Sequence, residues 1–143
     1  MKAYADSSFL LSLYSADAHS QSAAALVGQH KPVFCLTPFA EAEFTNAVEL
    51  GVFIKRYTAR EARAVRDHFI SHIRFGVFRV HDFPPEAYVL AGTLSRRYTA
   101  QLGTRALDVL HVASALILKA EVFFTFDPRQ HKLARAEGLR TLP

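Results

Sequence analysis

Short apolar runs, each followed by a stretch with helical patterning, recur along this chain and limit what it can fold into. Ala3-Tyr4-Ala5, Val33-Phe34-Cys35-Leu36, Val77-Phe78-Arg79-Val80-His81 and Glu121-Val122-Phe123-Phe124-Thr125 read as strands. Helices are expected from Phe9, over 21–29, 38–50, 59–73 and 82–102, from about Arg105, and over 129–137. Several starts are marked chemically. Thr37-Pro38 is a capping hydroxyl followed by a first-turn proline, Thr58 precedes an amphipathic run, and Asp17 or Ser20 is placed to cap the alanine-rich stretch. Strands alternating with helices build a parallel sheet covered on both faces. The expected architecture is therefore an α/β fold, a three-layer α/β/α sandwich on a central, mostly parallel sheet of four or five strands. No linker, repeat or low-complexity tract divides the chain, so one domain over 1–143 is expected.

That architecture gives a particular address to two acids. Asp6 ends the first strand, followed by Ser7-Ser8 and an apolar helix, and Asp127 follows the strand ending at Thr125. Parallel strands point their carboxyl ends to one edge of the sheet, where open α/β sheets bind ligands. The two can thus be neighbours. Each also suits a helix N-cap, Asp127 with Pro128 behind it especially. Glu43, with Glu41 and Asn46 nearby, can be explained as the polar edge of its helix. Asp108 is harder to explain. It stands among Ala106, Leu107, Val109, Leu110, Val112 and Ala113, and a carboxylate on so apolar a helix must be paired, hydrogen-bonded or metal-bound if it is buried. His111, one turn on, reads as a hydrogen-bonded packing residue, and no histidine has zinc-ligand spacing with a cysteine.

If Asp6, Glu43, Asp108 and Asp127 meet, they form an all-oxygen site suited to Mg²⁺ or Mn²⁺. Such ions serve phosphodiester hydrolysis, by lowering the pKa of water and by neutralising charge on the phosphate. Four uncompensated carboxylates would repel one another, and a cation is their natural compensation.

The charge distribution is compatible with a nucleic-acid binder that carries an acidic site. Residues 1–50 carry two basic and five acidic groups, whereas 51–143 carry fifteen basic and eight acidic. Twelve of the seventeen basic residues are arginines, the side chain best shaped for phosphate. Arg56, Arg60, Arg63 and Arg66 recur along one helix face, and with the basic residues of 96–105 they are expected to hold a nucleic-acid backbone. The single cysteine, Cys35, lies in an apolar run and reads as core, in keeping with a reducing compartment. Met1 and Lys2 lead to Asp6 almost at once, with no charged-then-apolar leader. The most apolar segment, 106–120, carries Asp108, His111, Ser114 and Lys119, too polar a set for a bilayer span. A cytoplasmic protein without membrane association is expected.

Four stretches together resemble the motifs of PIN domains. Tyr4-Ala5-Asp6-Ser7-Ser8 resembles their opening Asp-x-Ser, Ala42-Glu43-Phe44-Thr45-Asn46-Ala47-Val48 their second acidic motif, Leu107-Asp108-Val109-Leu110-His111-Val112-Ala113-Ser114-Ala115 the third, and Phe124-Thr125-Phe126-Asp127 the fourth. The match is in order, spans nearly the whole chain, and in size is most similar to VapC-type toxins of prokaryotic toxin–antitoxin pairs. The resemblance implies a Mg²⁺- or Mn²⁺-dependent endoribonuclease, usually a homodimer, inhibited by a separately encoded antitoxin protein. It implies Asp6, Glu43, Asp108 and Asp127 as metal ligands and Ser8 and Thr125 as supporting hydroxyls. Glu41 is the rival to Glu43 for the second position. The alternative to an enzyme is a non-catalytic α/β module that binds RNA or protein, its acids serving as caps and surface charges. A metal-dependent phosphatase is disfavoured, because the Asp6-Ser7-Ser8 turn lacks a second Asp and no phosphate-cradling glycine loop is present.

Overall fold

The computed structural model describes residues 1–143 as β1 (Lys2–Ala5), α1 (Ser7–Tyr14), α2 (Ser20–His30), β2 (Val33–Leu36), α3 (Pro38–Phe53), α4 (Ala59–Arg74), β3 (Arg79–Val80), α5 (Glu86–Leu94), a π-helical segment (Ser95–Thr99), α6 (Ala100–Leu102), α7 (Ala106–Ile117), β4 (Val122–Phe124), α8 (Pro128–Ala136) and β5 (Arg140–Leu142). The five strands pair in the order β3-β2-β1-β4-β5, and every pairing is parallel. The expected sandwich is therefore present, and its sheet is wholly parallel.

Alternation along the strands sorts side chains into two cores. Ala3, Ala5, Phe34, Leu36, Val122 and Phe124 face one way and pack against Phe9, Phe44, Phe69 and neighbours from α1–α4. Tyr4, Cys35 and Phe123 face the other way and pack against Ala87, Leu94, Val109, Val112 and Leu133 from α5, α7 and α8. Cys35 is a buried free thiol, as its apolar run suggested. No helix is long and apolar enough to cross a membrane.

Several boundaries differ from expectation for identifiable reasons. Helix α3 continues past Gly51 to Phe53. A Cβ on Gly51 would lie 2.3 Å from Tyr57 Cζ, so this glycine admits an aromatic ring against the helix and does not stop it. The Tyr57 hydroxyl donates to Val48 O at 3.0 Å, pinning that ring. Helix α4 starts where expected, with Thr58 and Glu61 forming a reciprocal capping box. Neither Asp17 nor Ser20 caps α2 conventionally. His19 is the N-cap residue, and Asp17 and Ser20 bond each other in the preceding turn. The expected helix over 82–102 begins only at Glu86, after Pro84 and Pro85, and is interrupted by the π segment. Gly103, at φ +64°, supplies the left-handed residue that ends α6 and turns the chain toward Arg105.

The middle of the sheet positions the site. β1 lies between β2 and β4, in register Ala5↔Phe124. Asp6 N–H donates to Phe124 O at 3.1 Å, so the ends of β1 and β4 are laced together just below their acidic turns. Phe9, the third residue of α1, anchors that turn from beneath, with ring centroids 5.0 Å from Phe124, 5.4 Å from Phe126 and 6.0 Å from Phe34. Phe9→Ala should lower the unfolding free energy by about 3–5 kcal/mol in urea titration, the range for emptying a buried phenylalanine site.

Candidate active site

Asp6 is fully buried at the end of β1 and caps α1. Its Oδ1 accepts from Phe9 N–H at 2.9 Å, and its Oδ2 accepts from the Thr125 hydroxyl at 2.7 Å. The Ser8 hydroxyl lies 2.8 Å from both oxygens. Burial raises the Asp6 pKa above the ordinary carboxylate range, against the opposing pull of His111 and of these donors. The two hydroxyls also reach the fourth motif. Thr125 Oγ1 accepts from Asp127 N–H at 2.9 Å, and Ser8 Oγ accepts from Phe126 N–H at 3.1 Å. Ser8 and Thr125 thus bridge Asp6 to the turn that carries Asp127.

Asp127 caps α8, its Oδ1 accepting from Arg129 N–H at 2.7 Å and Gln130 N–H at 3.2 Å. Partial burial would raise its pKa, but the Arg129 side chain and these backbone donors outweigh burial and lower it. The cap leaves Oδ2 free to meet Arg129 at 3.2 Å. The capping and the charged roles coexist on one carboxylate.

Asp108 is buried, and its compensation is explicit. It accepts from Arg105 N–H at 2.9 Å, from Arg105 Nε at 3.2 Å and from Gln130 Nε2 at 3.3 Å. Two guanidinium groups span Asp108 and Asp127. Arg105 lies 3.8 Å from Asp127, and Arg129 lies 3.9 Å from Asp108.

Glu43 projects from α3 toward α7, where it pairs with His111 Nε2. His111 is fully buried, and the Tyr4 hydroxyl lies 3.0 Å from its Nδ1. Burial pushes the Tyr4 phenol well above its usual pKa, so it stays protonated. His111 Nε2–H donates to the Glu43 carboxylate, which can only accept, while Nδ1 is bonded to the Tyr4 hydroxyl. Burial would raise the Glu43 pKa, but His111, Ser7 and the Arg105 charge outweigh it and lower it. Glu41 joins none of these bonds, so of the two glutamates Glu43 is the one in the network. A cleft of about 360 Å³ opens here, lined by Glu43, Arg105, Ala106, Leu107 and Asp108.

All six residues singled out from the sequence therefore occupy one region at the carboxyl edge of the sheet, with His111 as a tightly bonded interior group. Sequence reasoning did not assign roles to Tyr4, Arg129 or Gln130. The arginines expected along a nucleic-acid backbone differ in whether they reach the acids. Arg66 pairs with Glu49, Arg97 pairs with Glu137, and no arginine of α4 pairs with any of the four acids, whereas Arg105 does. Arg129 and Gln130, directly after the Asp127-Pro128 cap, were legible as helix-start residues but not as partners of Asp108.

The donor chemistry fits a hard divalent cation: four carboxylates and two hydroxyls, with no sulfur. As the side chains stand, no three of the acids close on one ion-binding point. The two arginines neutralise Asp108 and Asp127 instead.

The family profile described as PIN domain matches residues 3–136. No curated protein sequence matches the chain. Among solved structures, it is similar to VapC20 of Mycobacterium tuberculosis, described as a sarcin-ricin loop cleaving toxin, at 20% identity over 96% of this chain and 95% of that one, with a TM-score of 0.70. It is also similar to FitAcB of Neisseria gonorrhoeae (14% identity, 99% and 96% covered, TM-score 0.69). A third is VapBC2 of Rickettsia felis bound to a promoter DNA fragment (17%, 99% and 98%, TM-score 0.65). At such identities the likeness establishes the fold.

Two predictions follow from the bonds around Asp6. Thr125→Val removes a donor to a buried carboxylate and the acceptor for Asp127 N–H. It should cost about 1–3 kcal/mol in chemical unfolding. Asp6→Asn should instead stabilise the metal-free protein near neutral pH, by on the order of 1 kcal/mol, because the amide removes a buried charge and its –NH₂ can donate to both hydroxyl oxygens. The sign follows from the raised pKa. The penalty of burying ionised Asp6 is absent below the ordinary carboxylate pKa of about 3.9 and grows as pH rises through the folded-state value. Thermal melts from pH 4 to 8 should therefore show the variant's advantage appearing as pH increases.

Proposed function

Because this chain belongs to the PIN domain family, we propose that it is a Mg²⁺- or Mn²⁺-dependent endoribonuclease, a single catalytic domain acting as the toxin of a toxin–antitoxin pair. The observation that carries this reading is the gathering of four acids from four separate stretches of sequence at one sheet edge, beside an open cleft. In this reading Asp6, Glu43, Asp108 and Asp127 hold the cation. When bound, it supplies charge neutralisation at the phosphate and lowers the pKa of attacking water.

The chain's own residues do the remaining work. Thr125 and Ser8 fix the Asp6 carboxylate in one orientation. The Tyr4–His111 pair orients Glu43 and keeps it ionised. The bonds of the α8 cap do the same for Asp127. Basic side chains at the rim attract an RNA backbone, giving affinity that weakens with salt.

The neighbours' names add a setting: one is described as a sarcin-ricin loop cleaving toxin, and two are VapBC structures. We assign this chain a cognate antitoxin and a homodimeric state on the resemblance to the family. Exposed Phe53, Phe75, Tyr88 and Val89 supply apolar surface of the kind that protein partners cover.

The test is cleavage of a labelled RNA pool by purified protein. Activity is expected with Mg²⁺ or Mn²⁺, none with EDTA, and a loss of at least about 10²-fold in Asp6→Asn and in Asp108→Asn. Undiminished cleavage in EDTA, or in both variants, would overturn the reading. RNA binding without cleavage under every condition would favour the non-catalytic module.

A further inference from the structure

Arg105 stands immediately before α7, and its position in the site is unusual in kind. Its backbone N–H and Nε both meet Asp108 Oδ2, at 2.9 and 3.2 Å. One terminal nitrogen lies 3.4 Å from Asp108 Oδ1 and 3.8 Å from Asp127 Oδ2. The same guanidinium lowers the pKa of Glu43, and Asp108, Asp127 and Glu43 all help to raise its own. One arginine thus serves three of the four carboxylates. Its side chain is 66% exposed, whereas those of Asp108 and Asp127 are 4% and 15% exposed. Arg129 approaches the same two aspartates, but its backbone N–H is committed to the Asp127 cap and its side chain is less exposed.

A divalent cation and this guanidinium want the same oxygens. Asp108 Oδ2 already accepts from the Arg105 backbone and from Nε, and a cation entering there must displace at least the side-chain bond. Nothing else restrains Arg105. Its long stem can swing into the cleft that it lines with Glu43 and Leu107, while the backbone bond to Asp108 stays in place. A freed guanidinium at the mouth of that cleft is a ready fork for a phosphate oxygen pair.

We propose that Arg105 is the site's built-in counter-ion: it holds Asp108 and Asp127 when no metal is bound, yields them to the cation, and then grips the RNA phosphate at the cleft. This rests on the metal-dependent ribonuclease reading. It assigns opposite effects to one side chain, weakening metal binding and strengthening RNA binding. A purely structural ion pair would do neither.

The experiment titrates Mn²⁺ into metal-free wild type, Arg105→Gln, Arg105→Lys and Asp6→Asn, reading free Mn²⁺ by electron paramagnetic resonance, with circular dichroism confirming that each variant is folded. In parallel, the affinity of a fluorescein-labelled mixed-sequence single-stranded RNA 20-mer is measured in Ca²⁺ across a salt series. Arg105→Gln should bind Mn²⁺ about three- to tenfold more tightly than wild type. It should bind the RNA about tenfold more weakly, with a salt slope shallower by about one. Arg105→Lys should fall between the two on RNA, having the charge without the fork. Mn²⁺ binding that depends on Asp6 but is equal or weaker in Arg105→Gln overturns this proposal and leaves the enzyme reading standing. Unchanged RNA affinity and salt slope in Arg105→Gln likewise overturns it. No Mn²⁺ binding in either wild type or Arg105→Gln overturns the metal reading, and this proposal with it.

Discussion

The bond from the Thr125 hydroxyl to Asp6 Oδ2 is the contact on which the rest of the site depends. It joins two residues 119 positions apart in sequence, each at the end of a central strand. Ser8 repeats the connection from the other side through Phe126 N–H. A fully buried carboxylate is tolerable only where such donors converge, since desolvation opposes its charge. The parallel pairing of β1 with β4 brings these donors to Asp6 without any long excursion of the chain. Reversing one strand would carry Thr125 to the far edge of the sheet and leave Asp6 unsatisfied.

Around this fixed point the other acids are held by different means, and the differences are graded. Asp6 is held by uncharged donors and is raised in pKa. Glu43 is held by an interior chain, Tyr4 to His111 to carboxylate, and is lowered. Asp108 and Asp127 share two arginines that come from the surface. The interior side of the site is thus held by buried side chains, and the outer side by longer and more exposed ones. Charge compensation follows the same gradient, from uncharged donors at Asp6 to guanidinium groups at Asp108 and Asp127.

Much of this was legible in the sequence because local rules carried it. Strand–helix alternation predicts a parallel sheet whatever the exact boundaries, and Asp6 and Asp127 each announce a helix start as well as a strand end. Asp108 stood out because a carboxylate among Ala106, Leu107, Val109 and Leu110 must be compensated if buried, and part of that compensation is local, the N–H of its own N-cap residue Arg105. What escaped were partnerships set by tertiary distance. Nothing near Tyr4 predicts a bond to His111, 107 residues away. Gln130 follows a cap and reads as an ordinary first-turn residue, yet its amide crosses to Asp108. Gly51 looked like a helix stop because glycine usually weakens helices, whereas its real constraint is the ring of Tyr57 pressed against it. The spacing of the α4 arginines reports that they share a face, but not that Arg66 on it meets Glu49 of α3.

The same distinction explains why three of the four acids had a bland alternative. Asp6 and Asp127 are N-caps in fact, each accepting backbone N–H bonds from its own helix. Capping and a second bond do not compete, because a carboxylate has two oxygens: Asp6 Oδ2 meets Thr125 and Asp127 Oδ2 meets Arg129 while each Oδ1 serves the cap. A cap removes the rotational freedom that a loose surface aspartate would lose on binding a cation, and the helix N-terminus favours the ionised form. For Asp127 the result is a carboxylate already oriented and already charged, with Oδ2 turned toward the arginines. For Asp6 the cap is shared with burial, which wins and raises its pKa. Local capping thus prepares the acids, and their convergence from four separated stretches decides what they are prepared for.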